Sequence, residues 1–121
     1  MRNSNRLVTA RKTILVIGGS DSSNGAGIQA DLRTVHAMGC DGATVITAVT
    51  AQNARTITEI MPVKASIVAK QIETIFSDRV IDAIKIGMLY TKNIIQTVLD
   101  CLQQYRAIPV VIDPEIGRAH V

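Results

Sequence analysis

A chain of 121 residues with 47% apolar content is long enough for one core of ordinary domain size, roughly 100 to 200 residues, and too short for several. Its formal net charge of +3 comes from the start, where Arg2, Arg6, Arg11 and Lys12 stand without an acid. The body is near neutral and, with two Tyr, one Phe and no Trp, lacks the basic and aromatic surface of a nucleic-acid binder. No apolar run approaches the roughly 20 residues of a membrane span. Cys40 and Cys101 fall in different elements without metal spacing, which points to reduced thiols in a cytoplasmic protein and gives no support to a disulfide or zinc framework.

Residues 1–12 are short, basic and without an apolar h-region, and are expected to be disordered. Ile14-Leu15-Val16-Ile17 is a continuous, mostly β-branched run that suits a parallel strand buried on both faces. From Gly18 to Gly27 the chain carries Gly18, Gly19, Gly25 and Gly27 among serines, an Asp and an Asn, a loop that can turn sharply and approach a ligand closely. A helix follows from Ile28, with Leu32 and Val35 repeating on one face and its partial positive N-terminus beside the glycines.

Gly39 and Gly42 mark a helix-to-strand turn, and residues 43–49 read as a second buried strand. Thr50-Ala51-Gln52-Asn53 then lies at its carboxyl end, on the same sheet edge as the glycine loop if the crossover is right-handed. Residues 56–63 suit an extra strand or flap. The next helix starts near Lys64 or Ala65, with Val68, Ile72, Ile75 and Phe76 on one face. Ala83–Ile86 is a third buried strand, with Gly87-Met88-Leu89 at its end. A helix from Lys92 to Tyr105 is expected to turn Ile95, Val98, Leu99 and Leu102 inward, capped by Thr91. Val110-Val111-Ile112 makes a fourth strand, ending at Asp113-Pro114. Strands alternating with helices imply α/β with a parallel sheet.

The phosphate-loop pattern fails, because Ile28 follows Gly27 where a lysine is required. Gly25, Gly27 and Ala30 match a dinucleotide fingerprint nominally. Against it, the glycines lie several residues past the strand end and no acid waits after the second strand for a ribose. A dinucleotide-binding oxidoreductase fragment stays open as an alternative. His36 and His120 lack partner spacings that suggest catalysis and read as surface histidines. Taken alone, Asp31 favours the helix macrodipole, Gln52 is a solvated loop residue and Met88 is core.

A family resemblance ties these stretches together. Gly19-Ser20-Asp21-Ser22, Gly25-Ala26-Gly27-Ile28-Gln29-Ala30-Asp31-Leu32, Thr47-Ala48, Thr50-Ala51-Gln52-Asn53, Lys85-Ile86-Gly87-Met88-Leu89 and Asp113-Pro114 resemble the hydroxymethylpyrimidine/phosphomethylpyrimidine kinases of thiamine biosynthesis. Pyridoxal kinases share that fold, but their opening loop lacks the GAGIQAD run. The resemblance implies a three-layer αβα ribokinase-like fold and phosphorylation of an aminopyrimidine by ATP with Mg²⁺. It also implies a homodimer in the full-length enzyme.

By the same resemblance Gly19, Asp31, Thr50, Gln52 and Met88 line the pyrimidine pocket, and Asp113 lies near Mg²⁺ or the phosphates. Chemistry agrees at two of them. A Gln amide offers a donor and an acceptor in one plane, matching a ring nitrogen and exocyclic amine, and Asp31 can accept from the substrate hydroxyl. Residues 13–114 correspond to the N-terminal half of such a domain. The catalytic residue and the ATP site are expected in the other half, so the chain by itself is expected to be inactive. After Asp113-Pro114 the family pattern stops; residues 115–121, EIGRAHV, resemble a translated sequencing adapter and are expected to be a non-native tail. A non-catalytic protein that binds a pyrimidine or a pyridoxal-type ligand is the other alternative.

Overall fold

The computed structural model of the protein describes residues 11–113. The expectations for residues 1–10, Pro114, the 115–121 tail and His120 lie outside the described residues. Strand β1 (Thr13–Asp21) is the centre of the molecule. Leu15, Val16 and Ile17 are all 0% exposed, and because successive side chains leave a strand on opposite faces, both faces of β1 must be covered. Leu15 and Ile17 enter a cluster with Val68 and Ile72 of helix α2 (Ala65–Phe76) and with Ile94 and Val98 of helix α3 (Lys92–Leu102). Val16 joins Ile28 and Val35 of helix α1 (Gly27–Ala37) on the other face. The result is three layers, αβα, as the resemblance implied.

Among the described residues five strands form one sheet in the order β3-β2-β1-β4-β5. Strands β1, β2 (Asp41–Gln52), β4 (Ala83–Ile86) and β5 (Val110–Ile112) run parallel, whereas β3 (Ile57–Pro62) pairs with β2 antiparallel. The sheet is therefore mixed: its four parallel strands are as expected, and β3, read from sequence as an extra strand or flap, adds an antiparallel edge. The β2–β3 ladder begins only at Ala48 and Pro62. Further back along β2, the Gln71 side chain of α2 takes both backbone groups of Ile46: its Oε1 accepts from the N–H at 2.8 Å and its Nε2 donates to the carbonyl at 2.9 Å. The partly buried edge of β2 that faces away from β1 is thereby satisfied ahead of the β3 ladder.

Other boundaries also moved. Strand β1 does not stop before Gly18 but continues to Asp21, its register with β2 shifting between Gly18 and Ser20; this bulge lets a Gly-Gly-Ser-Asp stretch of poor strand propensity stay in the sheet. Strand β2 likewise runs on to Gln52, so Thr50 and Gln52 sit on a strand, not in a loop. In α3 the inward stripe is Ile94 and Val98, at 2% and 0% exposure, while Ile95 and Leu99 are 42% and 50% exposed. Thr91 caps as expected, its Oγ1 accepting from the Ile94 N–H at 3.1 Å. Ile94 and Val98 pack in the core cluster with Val68 and Ile72 of α2. The helix ends at Leu102 and passes into a 3-10 turn, Gln103–Tyr105, whose Tyr105 ring stacks on Phe76 at 3.8 Å.

Arg11 and Lys12, read from sequence as part of the disordered start, are held to the sheet. Arg11 pairs with Asp41 at 3.0 Å, and the Lys12 carbonyl accepts from the Asp41 N–H at 2.8 Å. Among the described residues no helix is long and apolar enough to cross a membrane.

Candidate functional site

A cleft of about 930 Å³ opens at the carboxyl ends of β1, β2 and β4, bordered by β3. This is where α/β sheets hold ligands, beside the point at which chain connections leave in opposite directions. Gly19, Asp31, Thr50, Gln52 and Met88 all line it. Asp113 does not; it follows β5, one strand further out.

The glycine loop is held in shape by Asp21, which is 3% exposed. One carboxylate oxygen accepts from the Ser23 N–H at 2.8 Å and the Ser23 hydroxyl at 2.7 Å; the other accepts from the Ala26 N–H at 2.7 Å. Burial raises the carboxyl pKa, but the bonds from the Ser23 hydroxyl and from the Ser23, Ala26 and Gly25 N–H groups outweigh it and hold the group below its ordinary 3.8. Gln29, in the first turns of α1, completes the arrangement. Its Oε1 accepts from the Asp21 N–H at 2.9 Å and its Nε2 donates to Ser20 Oγ at 2.8 Å. The start of α1 thus already faces a carboxylate of the chain itself. A second anion there would be repelled, and the dinucleotide reading, which needs a diphosphate at that helix end, loses its anchor.

Across the cleft, Thr50 and Ser22 fix Gln52. The Thr50 hydroxyl lies 2.9 Å from the Ser20 carbonyl and 3.0 Å from Gln52 Oε1, and its single proton serves one of them at a time. The Gln52 N–H donates to Ser22 Oγ and the Gln52 carbonyl accepts from the same hydroxyl, both at 2.8 Å. A residue that sequence alone made a solvated loop position is therefore tied at its backbone and beside its amide. Met88 is placed by a buried hydroxyl on β2: Thr47, 0% exposed, donates to the Met88 carbonyl at 2.9 Å. Gly19 lies under the Tyr90 ring, where a Cβ would come within 2.5 Å of the Tyr90 hydroxyl oxygen.

Asp31 lies beyond the first turn of α1, which holds no acid, so the macrodipole does not account for it. Its Oδ2 accepts from Lys85 Nζ at 2.8 Å, and the same ammonium stands 3.7 Å from Asp113 Oδ2. Asp21, Gln29, Thr47 and Lys85 were missed as site residues by sequence reasoning. Lys85 had a signal: it is the one charge in the buried strand Ala83-Ile84-Lys85-Ile86, where an ammonium must find a partner.

Asp113 is exposed and leans toward Lys85. Magnesium is held by one or two carboxylates together with phosphate oxygens and water, and among the described residues no group of three His, Cys, Asp or Glu side chains could hold a metal. Cys40 and Cys101 are free thiols. Burial, then the nearby Glu73 and Asp100 carboxylates, push the Cys101 thiol above its ordinary 9.0, which makes it a poor nucleophile. His36 is exposed on α1.

The profile of a family described as phosphomethylpyrimidine kinase matches residues 21–118. A hydroxymethylpyrimidine/phosphomethylpyrimidine kinase of Rhizobium meliloti is 48% identical over 100 residues, which make up 83% of this chain and 37% of that protein. One from Escherichia coli is 46% identical over 103 residues, 85% of this chain and 39% of that protein. Among solved structures, a phosphomethylpyrimidine kinase from Clostridium difficile superposes with a TM-score of 0.81 at 44% identity, covering 86% of this chain and 45% of that one. An ADP complex of Bacillus subtilis pyridoxal kinase gives 0.80 at 35% identity, covering 91% and 43%. The chain thus spans less than half the length of each of these relatives.

Proposed function

Since this chain belongs to the phosphomethylpyrimidine kinase family, we propose that its cleft is the substrate-holding half of an ATP-dependent kinase acting on hydroxymethylpyrimidine and then on its monophosphate in thiamine biosynthesis. One observation carries the reading: a fixed planar amide, Gln52, and an Asp31 carboxylate line the same cleft. The amide pairs with the ring nitrogen and exocyclic amine, and the carboxylate accepts from the hydroxyl that becomes phosphorylated. Thr50 holds the amide in place, Met88 lies against the ring, and the absence of a side chain at Gly19 lets Tyr90 close over the strand.

ATP is the donor that kinase membership implies. The relatives are more than twice as long as the matched region, and in phosphoryl transfer the protein acts mainly by positioning and by stabilising charge at the phosphates. Those functions are assigned here to residues outside 11–113, so the isolated chain is expected to bind the pyrimidine without turning it over. A homodimer and a cytoplasmic location belong to the same reading of the full-length enzyme.

Gln52→Leu tests the assignment. It leaves a polar edge of the buried substrate unpaired, a cost of about 1 to 3 kcal/mol, and is expected to weaken binding by about tenfold or more. The readout is Kd for the chain, or KM for a full-length enzyme carrying this region. Unchanged values would contradict the assignment of Gln52.

A further inference from the structure

We propose that Lys85 is a positioning residue of this cleft: it grips the Asp31 carboxylate by one oxygen so that the other meets the hydroxyl of a hydroxymethyl substituent. The inference deepens the aminopyrimidine reading and rests on it. Along β4, Ile84 and Ile86 turn into the core shared with α2 and α3, at 1% and 5% exposure. Alternation along the strand therefore sends Lys85 to the α1 face. An ammonium half-buried between a strand and a helix is costly without a partner, and Lys85 stands beside two carboxylates, Asp31 of α1 and Asp113 just after β5.

The contacts are unequal. At 2.8 Å, Nζ donates a hydrogen bond to Asp31 Oδ2, whereas at 3.7 Å Asp113 Oδ2 is a charge neighbour only. The Lys85 and Asp31 side chains are 21% and 24% exposed against 56% for Asp113, so the inner pair is the less screened one. Lys85 does not line the cleft and Asp31 does. The lysine therefore acts on a ligand through Asp31. Because only Oδ2 is held by the ammonium, rotation of the carboxylate is restrained while Oδ1 keeps its capacity to accept.

The test is equilibrium binding to the full chain of two probes, the hydroxymethyl aminopyrimidine and its methyl analogue without the hydroxyl. Lys85→Met is expected to weaken the hydroxymethyl compound by about tenfold and the methyl analogue by less than about twofold. Lys85→Arg, which keeps a donor and the charge, is expected to restore most of the difference, with unchanged far-UV circular dichroism in both variants. Equal weakening of the two probes, or of neither, overturns the positioning role while leaving the pyrimidine reading intact. Failure of the unsubstituted chain to bind either probe overturns that reading and this inference with it. If Lys85→Met is unfolded, Lys85→Gln decides by the same ratio of the two affinities.

Discussion

Asp21→Ala is expected to disorganise the glycine loop and remove ligand binding, with a drop in melting temperature of more than about 10 °C. The carboxylate is the acceptor for the Ser23 N–H, the Ser23 hydroxyl and the Ala26 N–H, and hydrogen bonds to a charged group are worth about 1.5 to 3 kcal/mol each. Water can replace the bonds at exposed Ser23 more readily than the one at Ala26, which is partly buried. A net loss of about 3 kcal/mol is the expectation. The same group predicts a pH dependence. Its folded pKa lies below the ordinary 3.8, so its contribution is complete above that value and is lost as pH falls through the folded pKa. Asp21→Asn removes this acid-sensitive part. Melting curves of the two proteins should lie apart at neutral pH and converge in acid; a constant separation would contradict the assignment.

Gly27→Ala is the second large effect. Gly27 has φ +62, and a Cβ there would lie 2.5 Å from the Gly19 carbonyl oxygen and 3.2 Å from the Asp21 nitrogen. The left-handed conformation alone costs a side-chain-bearing residue about 1 to 2 kcal/mol, and the carbonyl it meets is backbone in the middle of the sheet. The loop must move, taking with it the N–H groups that Asp21 holds. Gly39 is the control: its φ is +79, but a Cβ there meets nothing within 4 Å. Gly39→Ala is expected to lose only the conformational part, about 4 °C or more in melting temperature, and to keep ligand affinity, whereas Gly27→Ala loses clearly more than Gly39→Ala and most of the affinity. Similar losses for the two variants would show that the contact with Gly19 does not matter.

The layers were legible in sequence because the four parallel strands are short, mostly apolar segments and the helices between them repeat at helical spacing. Two kinds of feature were not. The first is backbone continuity without propensity: Gly18 to Asp21 reads as loop, yet Ser20 and Asp21 pair with Val49 and Thr50. The second is a choice between overlapping stripes. In α3, Ile94-Val98 and Ile95-Leu99 are equally apolar, and packing against the core formed with α2 selected the first. At the site, five of the six residues named from the resemblance come round one cleft. Asp113 stands apart, joined to Asp31 only through Lys85. The Asp21 and Gln29 bonds stay within the glycine loop and the start of α1, whereas the Thr47 bond that places Met88 joins residues 41 positions apart, a relation that no local pattern encodes.

The most direct measurement is calorimetric titration of the chain with the hydroxymethyl aminopyrimidine, with pyridoxal and with a nicotinamide dinucleotide, each repeated on Gln52→Leu. Saturable binding of the aminopyrimidine at one per chain, weakened by about tenfold in the variant and unaffected by the dinucleotide, is the predicted result. Binding of the dinucleotide or pyridoxal with none of the aminopyrimidine would contradict the assignment of this cleft.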